Sequence, residues 1–219
     1  MNHTPSVLAV FLFALLLSCS KPVTFEKIPV YAHPKSAFLV LDLQKDFTGP
    51  QARFPADSHQ VERTLHWANW VIDGATVSNF VVVYIRNEFE PGGIENFVRG
   101  NAAVKGSPGI GLDPRLKVVG DHAFSKNKGD AFSSRALENF LKTNQVSRVY
   151  VAGLMGSACV LETVQGALGR GYDVRVLGEA VADRSLSRRD KALEKMKQLG
   201  AKIVTAYDII QTEALDLSK

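Results

Sequence analysis

Asp42, Lys126 and Cys159 are the residues of this chain whose types and positions allow covalent chemistry. Cys159 ends the run Val149-Tyr-Val-Ala-Gly-Leu-Met-Gly-Ser-Ala-Cys159, in which an apolar strand-like stretch leads through a glycine-containing turn into helical spacing. A thiol at a helix N-terminus feels the positive end of the helix dipole, which favours the nucleophilic thiolate. Taken alone, such a cysteine is more often a small buried hydrophobe. Asp42 changes the balance, because it ends the apolar run Ala37-Phe-Leu-Val-Leu41. Lys126 lies in Asp121–Phe132, a short segment before a helix. An acid and a thiol at one sheet edge can exchange a proton, and an ammonium beside them holds both as anions more easily.

The elements that would position these groups alternate from Ser36 onward. Continuous apolar runs at Ala37–Leu43, Phe80–Ile85 and Arg148–Ala152 read as buried strands, followed by Asp173–Leu177 and Lys202–Thr205. Between them, Val61, Leu65, Ala68 and Ile72 recur at helical spacing, as do Leu137, Phe140 and Leu141 in Ser134–Thr143. Val160, Val164, Ala167 and Leu168 form a helix ended by Gly171. Ser187-Arg-Arg-Asp190 resembles a capping box that opens a helix stopped by Gly200, and a short terminal helix follows the last strand. Strict alternation predicts a three-layer α/β/α sandwich with a mostly parallel, Rossmann-like central sheet. Ligands of such sheets bind outside the carboxyl ends of the strands. The glycine- and proline-rich stretch 86–116 is too long for a simple connection, and loops of that length in compact domains are usually functional or disordered.

The chain has 219 residues, 46% hydrophobic and 22% charged, enough for one sizeable domain. The net charge of +4 is mild and its cations are interleaved with acids, so no nucleic-acid footprint is present. The apolar run Val7–Leu17 is short for a membrane span and suits a secretory signal. Leu16-Leu17-Ser18-Cys19 resembles the lipobox of bacterial lipoprotein signals, in which the cysteine receives a diacylglycerol. The expected organisation is a signal peptide over 1–18, a lipidated tether over 19–35 and one folded domain over 36–219. The lipid on Cys19 would hold the protein to a membrane outside a bacterial cytoplasm, on the periplasmic side; a plain cleaved signal, leaving a soluble periplasmic or secreted protein, is the alternative. Cys19 and Cys159 are the two cysteines of the chain, so acylation of Cys19 leaves Cys159 without a disulfide partner.

The residues resemble the isochorismatase-like cysteine hydrolases from about Ser36 to Ile210. Leu41-Asp-Leu-Gln-Lys-Asp-Phe47 is similar to the family's Asp-x-Gln-x-Asp-Phe strand end. Lys126 lies six residues before Phe132 of Asp130-Ala-Phe132, the family spacing of its lysine to Ser-Ala-Phe. Gly153-Leu-Met-Gly-Ser-Ala-Cys159-Val, Ala167–Val174 and Glu179–Asp183 complete the match. The resemblance implies a triad. Asp42 takes the thiol proton and returns it to the leaving nitrogen, Cys159 attacks an amide carbonyl to form a thioester, and Lys126 lowers the thiol pKa. It also implies a cis peptide at Leu154–Met155 and an oxyanion hole from the N–H groups of Met155 and Cys159. Lys128 is the alternative lysine. Gln44 and Asp46 read as structural, and Glu162 as a surface or local hydrogen-bonding residue.

Departures from the family pattern bear on substrate. Metal-binding relatives carry Asp-x-His after the second strand, whereas this chain reads Ile85-Arg-Asn-Glu-Phe-Glu90, which implies no metal and no cofactor. Asp130 replaces the usual serine and could pair with Lys126 or Lys128. Phe47, Asn87, Glu88, Phe97, Arg99 and Phe132 are the candidate pocket residues, with Arg99 suited to a substrate carboxylate. The expected substrate is a small amide, ureide or carbamoyl compound. An isochorismatase-type vinyl ether hydrolase and an inactive binding lipoprotein are the alternatives. Assembly into dimers or tetramers is expected from the family.

Overall fold

The structure is a computed structural model that describes residues 25–78 and 80–217. The signal peptide, Cys19 and the first part of the tether lie outside the described residues. The strands are β1 (Lys35–Leu41), β2 (Val81–Asn87), β3 (Ala123–Lys126), β4 (Val146–Gly153), β5 (Asp173–Val181) and β6 (Lys202–Val204). All pair in parallel in the order β3-β2-β1-β4-β5-β6. The helices are α1 (Lys45–Thr48), α2 (Ser58–Ser78), α3 (Ile94–Val98), α4 (Arg135–Thr143), α5 (Leu161–Arg170), α6 (Leu186–Gln198) and α7 (Ala206–Leu217).

Both faces of the sheet are covered, which explains the unbroken apolar runs. In β1, Phe38 and Val40 join α2 and α7 in one core, while Ala37, Leu39 and Leu41 join α4, α5 and α6 in the other. This alternation is the period-2 geometry of a strand. Burying one such side chain contributes about 1.5–3 kcal/mol, so the central strands anchor the fold. The strand order reverses direction between β1 and β4, and a crevice opens at that switch point.

Three expectations are corrected. β3 is a strand, and Lys126 is its last residue. Ala123 is the exposed end and Lys126 the buried end of this four-residue edge strand, which lacks the apolar run that marks the inner strands. The cap of α6 is Ser185, whose side chain accepts from Arg188 N–H, and Ser187 lies within the first turn. Asp183 accepts from Arg184 N–H and Arg188 Nε, which turns the chain into the helix two residues early. Part of the tether is docked: Ile28 N–H donates to Arg170 O at 2.9 Å, and the Arg170 guanidinium lies over the Phe25 ring.

Candidate active site

β1 delivers Asp42 to the switch point. The chain turns there with φ +58°, a left-handed conformation that aspartate tolerates better than most residues. Asp42 N–H donates to Ile85 O, and Gln44 N–H donates back to Asp42 O, both at 2.8 Å. Across the crevice, β4 ends at Gly153. A Cβ on Gly153 would lie 2.0 Å from Leu41 O, so β1 and β4 close at this end because the residue is glycine. The Leu154–Met155 peptide is cis. A π-helical turn, Gly156–Val160, then carries Cys159 into α5. That turn is tied to the exit of β5: Gly156 N–H donates to Ala182 O at 2.8 Å and Ser157 N–H to Asp183 Oδ2 at 2.6 Å. Arg188 bridges Asp183 and Ser157 Oγ from outside.

β2 and β3 supply the other side. Asn87 and Lys126 are register partners at the ends of these strands. Lys126 Nζ donates to Asp42 Oδ2 at 3.0 Å, Asn87 Oδ1 at 2.6 Å and Lys128 O at 3.2 Å, which uses all of an ammonium's donors. Lys128 itself is exposed and offers its carbonyl, so Lys126 is the lysine in the cluster. Asn87 Nδ2 points to Cys159 Sγ at 3.6 Å. Gln44 holds Asn87 by both ends of its amide, accepting from Asn87 N–H at 2.8 Å and donating to Asn87 O at 2.9 Å.

The electrostatics differ from a thiolate primed by a helix dipole. Burial and the Asp42 carboxylate push the Cys159 thiol up to about 12, and Lys126 opposes them without prevailing. Burial also raises Asp42, against the pull of Lys126. For Lys126, burial favours the neutral amine, but the charges of Asp42 and Cys159 outweigh it and hold the ammonium. Burial thus raises both Asp42 and Cys159, so each holds a proton more tightly than it would in water, and Lys126 is the cation beside them. Asp42 Oδ1 is buried and within reach of the Cys159 and Asn87 side chains, both of which bear on the Asp42 carboxyl, so it is placed to take the thiol proton.

The cluster opens into a cavity of about 420 Å³. Phe47, Phe54 and Phe89 form an aromatic wall, and Arg99, Lys128 and Glu162 stand at its polar side, with Met155 beside Cys159. Phe47, Asn87 and Arg99 are thus where the sequence placed them. Glu88, Phe97 and Phe132 do not line it. Glu88 accepts from Ser125 Oγ at 2.8 Å, Phe97 is 80% exposed on α3, and Phe132 packs on Tyr172 under the Arg170 guanidinium. Asp130 does not pair with Lys126 or Lys128; it accepts from Phe132 N–H and lies 3.8 Å from Arg170. Phe54 and Phe89 were not anticipated, although Phe89 follows a strand end by two residues. Gln44 and Asp46 are structural, the latter accepting from Ala103 N–H at 2.8 Å. A hollow of about 860 Å³ beside α1 is larger, but its Asp113, Arg115 and Thr48 satisfy one another, and it contains none of Asp42, Lys126 and Cys159. Among the described residues, no three His, Cys, Asp or Glu side chains group as metal ligands.

Comparison with known proteins agrees with this architecture. The chain is 26% identical over 79% of its length to 93% of a probable inactive nicotinamidase of Arabidopsis thaliana. A solved N-carbamoylsarcosine amidase of Thermoplasma acidophilum superposes with a TM-score of 0.68 at 25% identity, covering 78% of this chain and 96% of that one. A pyrazinamidase of Pyrococcus horikoshii, solved in complex with zinc, gives 0.70 at 27% identity, covering 78% and 99%. The sequence profile of the isochorismatase domain matches residues 36–208. The chain therefore belongs to the isochorismatase family of hydrolases.

Proposed function

We propose that this hydrolase cleaves the C–N bond of a small amide, ureide or carbamoyl compound through a thioester on Cys159. The observation that carries the reading is the convergence of Asp42 and Cys159 on one cavity, with one Asp42 oxygen held by Lys126 and the other turned to the thiol. The amidase and pyrazinamidase relatives favour amide bonds.

Asp42 takes the Cys159 proton as sulfur attacks the carbonyl carbon. Lys126 offsets the negative charge passed between them. The N–H groups of Met155 and Cys159 stabilise the oxyanion, typically by about 2.7–4 kcal/mol per donor. Asp42 then gives its proton to the leaving nitrogen, the C–N bond breaks, and a thioester remains. Water, deprotonated by Asp42, attacks the thioester and releases the acid and the thiol. No step requires a metal or cofactor. The aromatic wall suits a flat or apolar substituent, and Arg99 a carboxylate.

The test is ammonia release from a panel of small amides and ureides. Release that disappears on thiol alkylation and in Cys159→Ala supports the reading. Activity that survives Cys159→Ala removes the thioester mechanism.

We also propose that Cys19 is lipidated, that the protein is held to a membrane outside the cytoplasm and that it assembles as a homo-oligomer. The anchor rests on the Val7–Cys19 sequence, and among the described residues no helix is long and apolar enough to cross a membrane. Fatty-acid label that is lost in Cys19→Ala is the expected result; an unlabelled wild type contradicts it.

A further inference from the structure

We propose that Asn87 is a fourth catalytic residue, an amide donor to the Cys159 thiolate whose orientation is fixed by Lys126. The inference rests on Cys159 being the nucleophile.

An amide side chain has one accepting and one donating end, and neighbours decide which faces which. Lys126 has only donors, and its Nζ lies 2.6 Å from the nearer end of Asn87, so that end is Oδ1. The NH₂ group must then face Cys159 Sγ, at 3.6 Å. Sulfur accepts weakly as a thiol and much better as a thiolate, so the contact strengthens as the proton leaves for Asp42. Gln44 fixes the backbone of Asn87 from both sides and itself is tied to Ile110 O at 2.8 Å. The side chain is 4% exposed as a residue, and the clamp prevents an easy rotation. The charged groups around Cys159 come from two strand ends and two flanking segments: Asp42 just after β1, Lys126 at the end of β3, and Lys128 and Glu162 at the cavity side. Asn87 is the neutral group among them that stabilises the anionic sulfur without adding charge. It therefore favours the thiolate during attack while leaving the Asp42–Lys126 pair intact.

The experiment needs no substrate. The full-length protein is treated with iodoacetamide between pH 7 and 9.5, and the rate at Cys159 is read by peptide mass mapping, which separates it from Cys19. Cooperative thermal unfolding, with a midpoint above the assay temperature, checks that each variant is folded. Asn87→Ala removes the donor, and Asn87→Asp replaces it with a carboxylate of the same shape. We expect the rate to fall in the order wild type, Asn87→Ala, Asn87→Asp, the last by on the order of tenfold, one pKa unit of thiol destabilisation. A merely structural Asn87 would make the near-isosteric Asn87→Asp the milder change. An Asn87→Asp rate equal to wild type, or above that of Asn87→Ala, overturns the proposal. Failure of the nucleophile reading would show differently, as hydrolysis that persists in Cys159→Ala.

Discussion

Two regions meet at the cavity and are built in opposite ways. The strand edge contributes Asp42, Asn87, Lys126 and Cys159, which lie at or just beyond the carboxyl ends of parallel strands and are linked in a chain from Asp42 through Lys126 and Asn87 to Cys159. The connection from β2 to β3 contributes Phe89 and Arg99, and it is held by scattered contacts: a bridge of Phe89 to Val104, a bridge of Gln44 to Leu112, and Asn96 Nδ2 donating to Glu90 O and Gly92 O. Arg99 lies 3.8 Å over the Phe89 ring. That connection also exposes Ile94, Phe97 and Val98. In the proposed mechanism, chemistry rests on the part of the fold that local change disturbs least, and selectivity on the part that can change without unfolding the sheet. The difference implies that perturbing the first region should cost activity and stability together, whereas perturbing the second should alter substrate preference.

Lys126→Met makes the strongest test. It leaves the Asp42 carboxyl buried without its counter-charge, which should cost about 3–5 kcal/mol in denaturant unfolding near neutral pH. Turnover should fall on the order of 10⁴-fold. Near-normal turnover would separate the lysine from the chemistry. Phe89→Ala should instead raise KM roughly tenfold with kcat changed little, a signature of lost substrate contact that steady-state kinetics reads directly. An equal fall in kcat would place Phe89 with the catalytic edge.

The loop has its own electrostatic anchor. Asp113 is buried, and burial alone would raise its pKa, but hydrogen bonds from Arg115 and Thr48 hold it at about 2. That lies below the ordinary carboxyl value of 3.8, so the stabilisation is complete above about pH 4 and vanishes as pH falls towards 2. Asp113→Asn should therefore lower thermal stability at pH 6 and flatten the loss between pH 4 and 2. Parallel acid profiles for the two proteins would show that the pairing contributes nothing. The smallest effect is expected at Phe97→Ser, within about 0.5 kcal/mol of wild type by chemical denaturation. A loss of 2 kcal/mol or more, outside the range of about 0.5 kcal/mol typical of surface changes, would show that α3 is covered in the native protein.

The same division governs what the sequence disclosed. The inner strands were legible because a strand buried on both faces leaves a continuous apolar run; Asp42 was legible because it ends such a run and Cys159 because it follows one across a glycine-containing turn. β3 was hidden because it is a four-residue edge strand, partly exposed and without a continuous apolar run. Lys126 was found through its spacing to Phe132, yet Phe132 itself turns into the core against Tyr172. Adjacency in sequence gave the wrong side. Phe54 reaches the cavity from the segment after α1, a consequence of tertiary folding that no local pattern records. The thiol was misjudged for a related reason. A helix N-terminus was visible in the sequence, but the burial and the Asp42 carboxylate that outweigh it exist only in the assembled site.

The central claim is that Cys159 carries the acyl group during turnover. Rapid acid quenching of the enzyme with a hydrolysed amide, followed by intact and peptide mass measurement, tests it directly. The account predicts an adduct with the mass of the acyl fragment on the peptide containing Cys159, released by hydroxylamine and missing in Cys159→Ala. Turnover of the same substrate by Cys159→Ala at the wild-type rate, with no adduct in either protein, would contradict it.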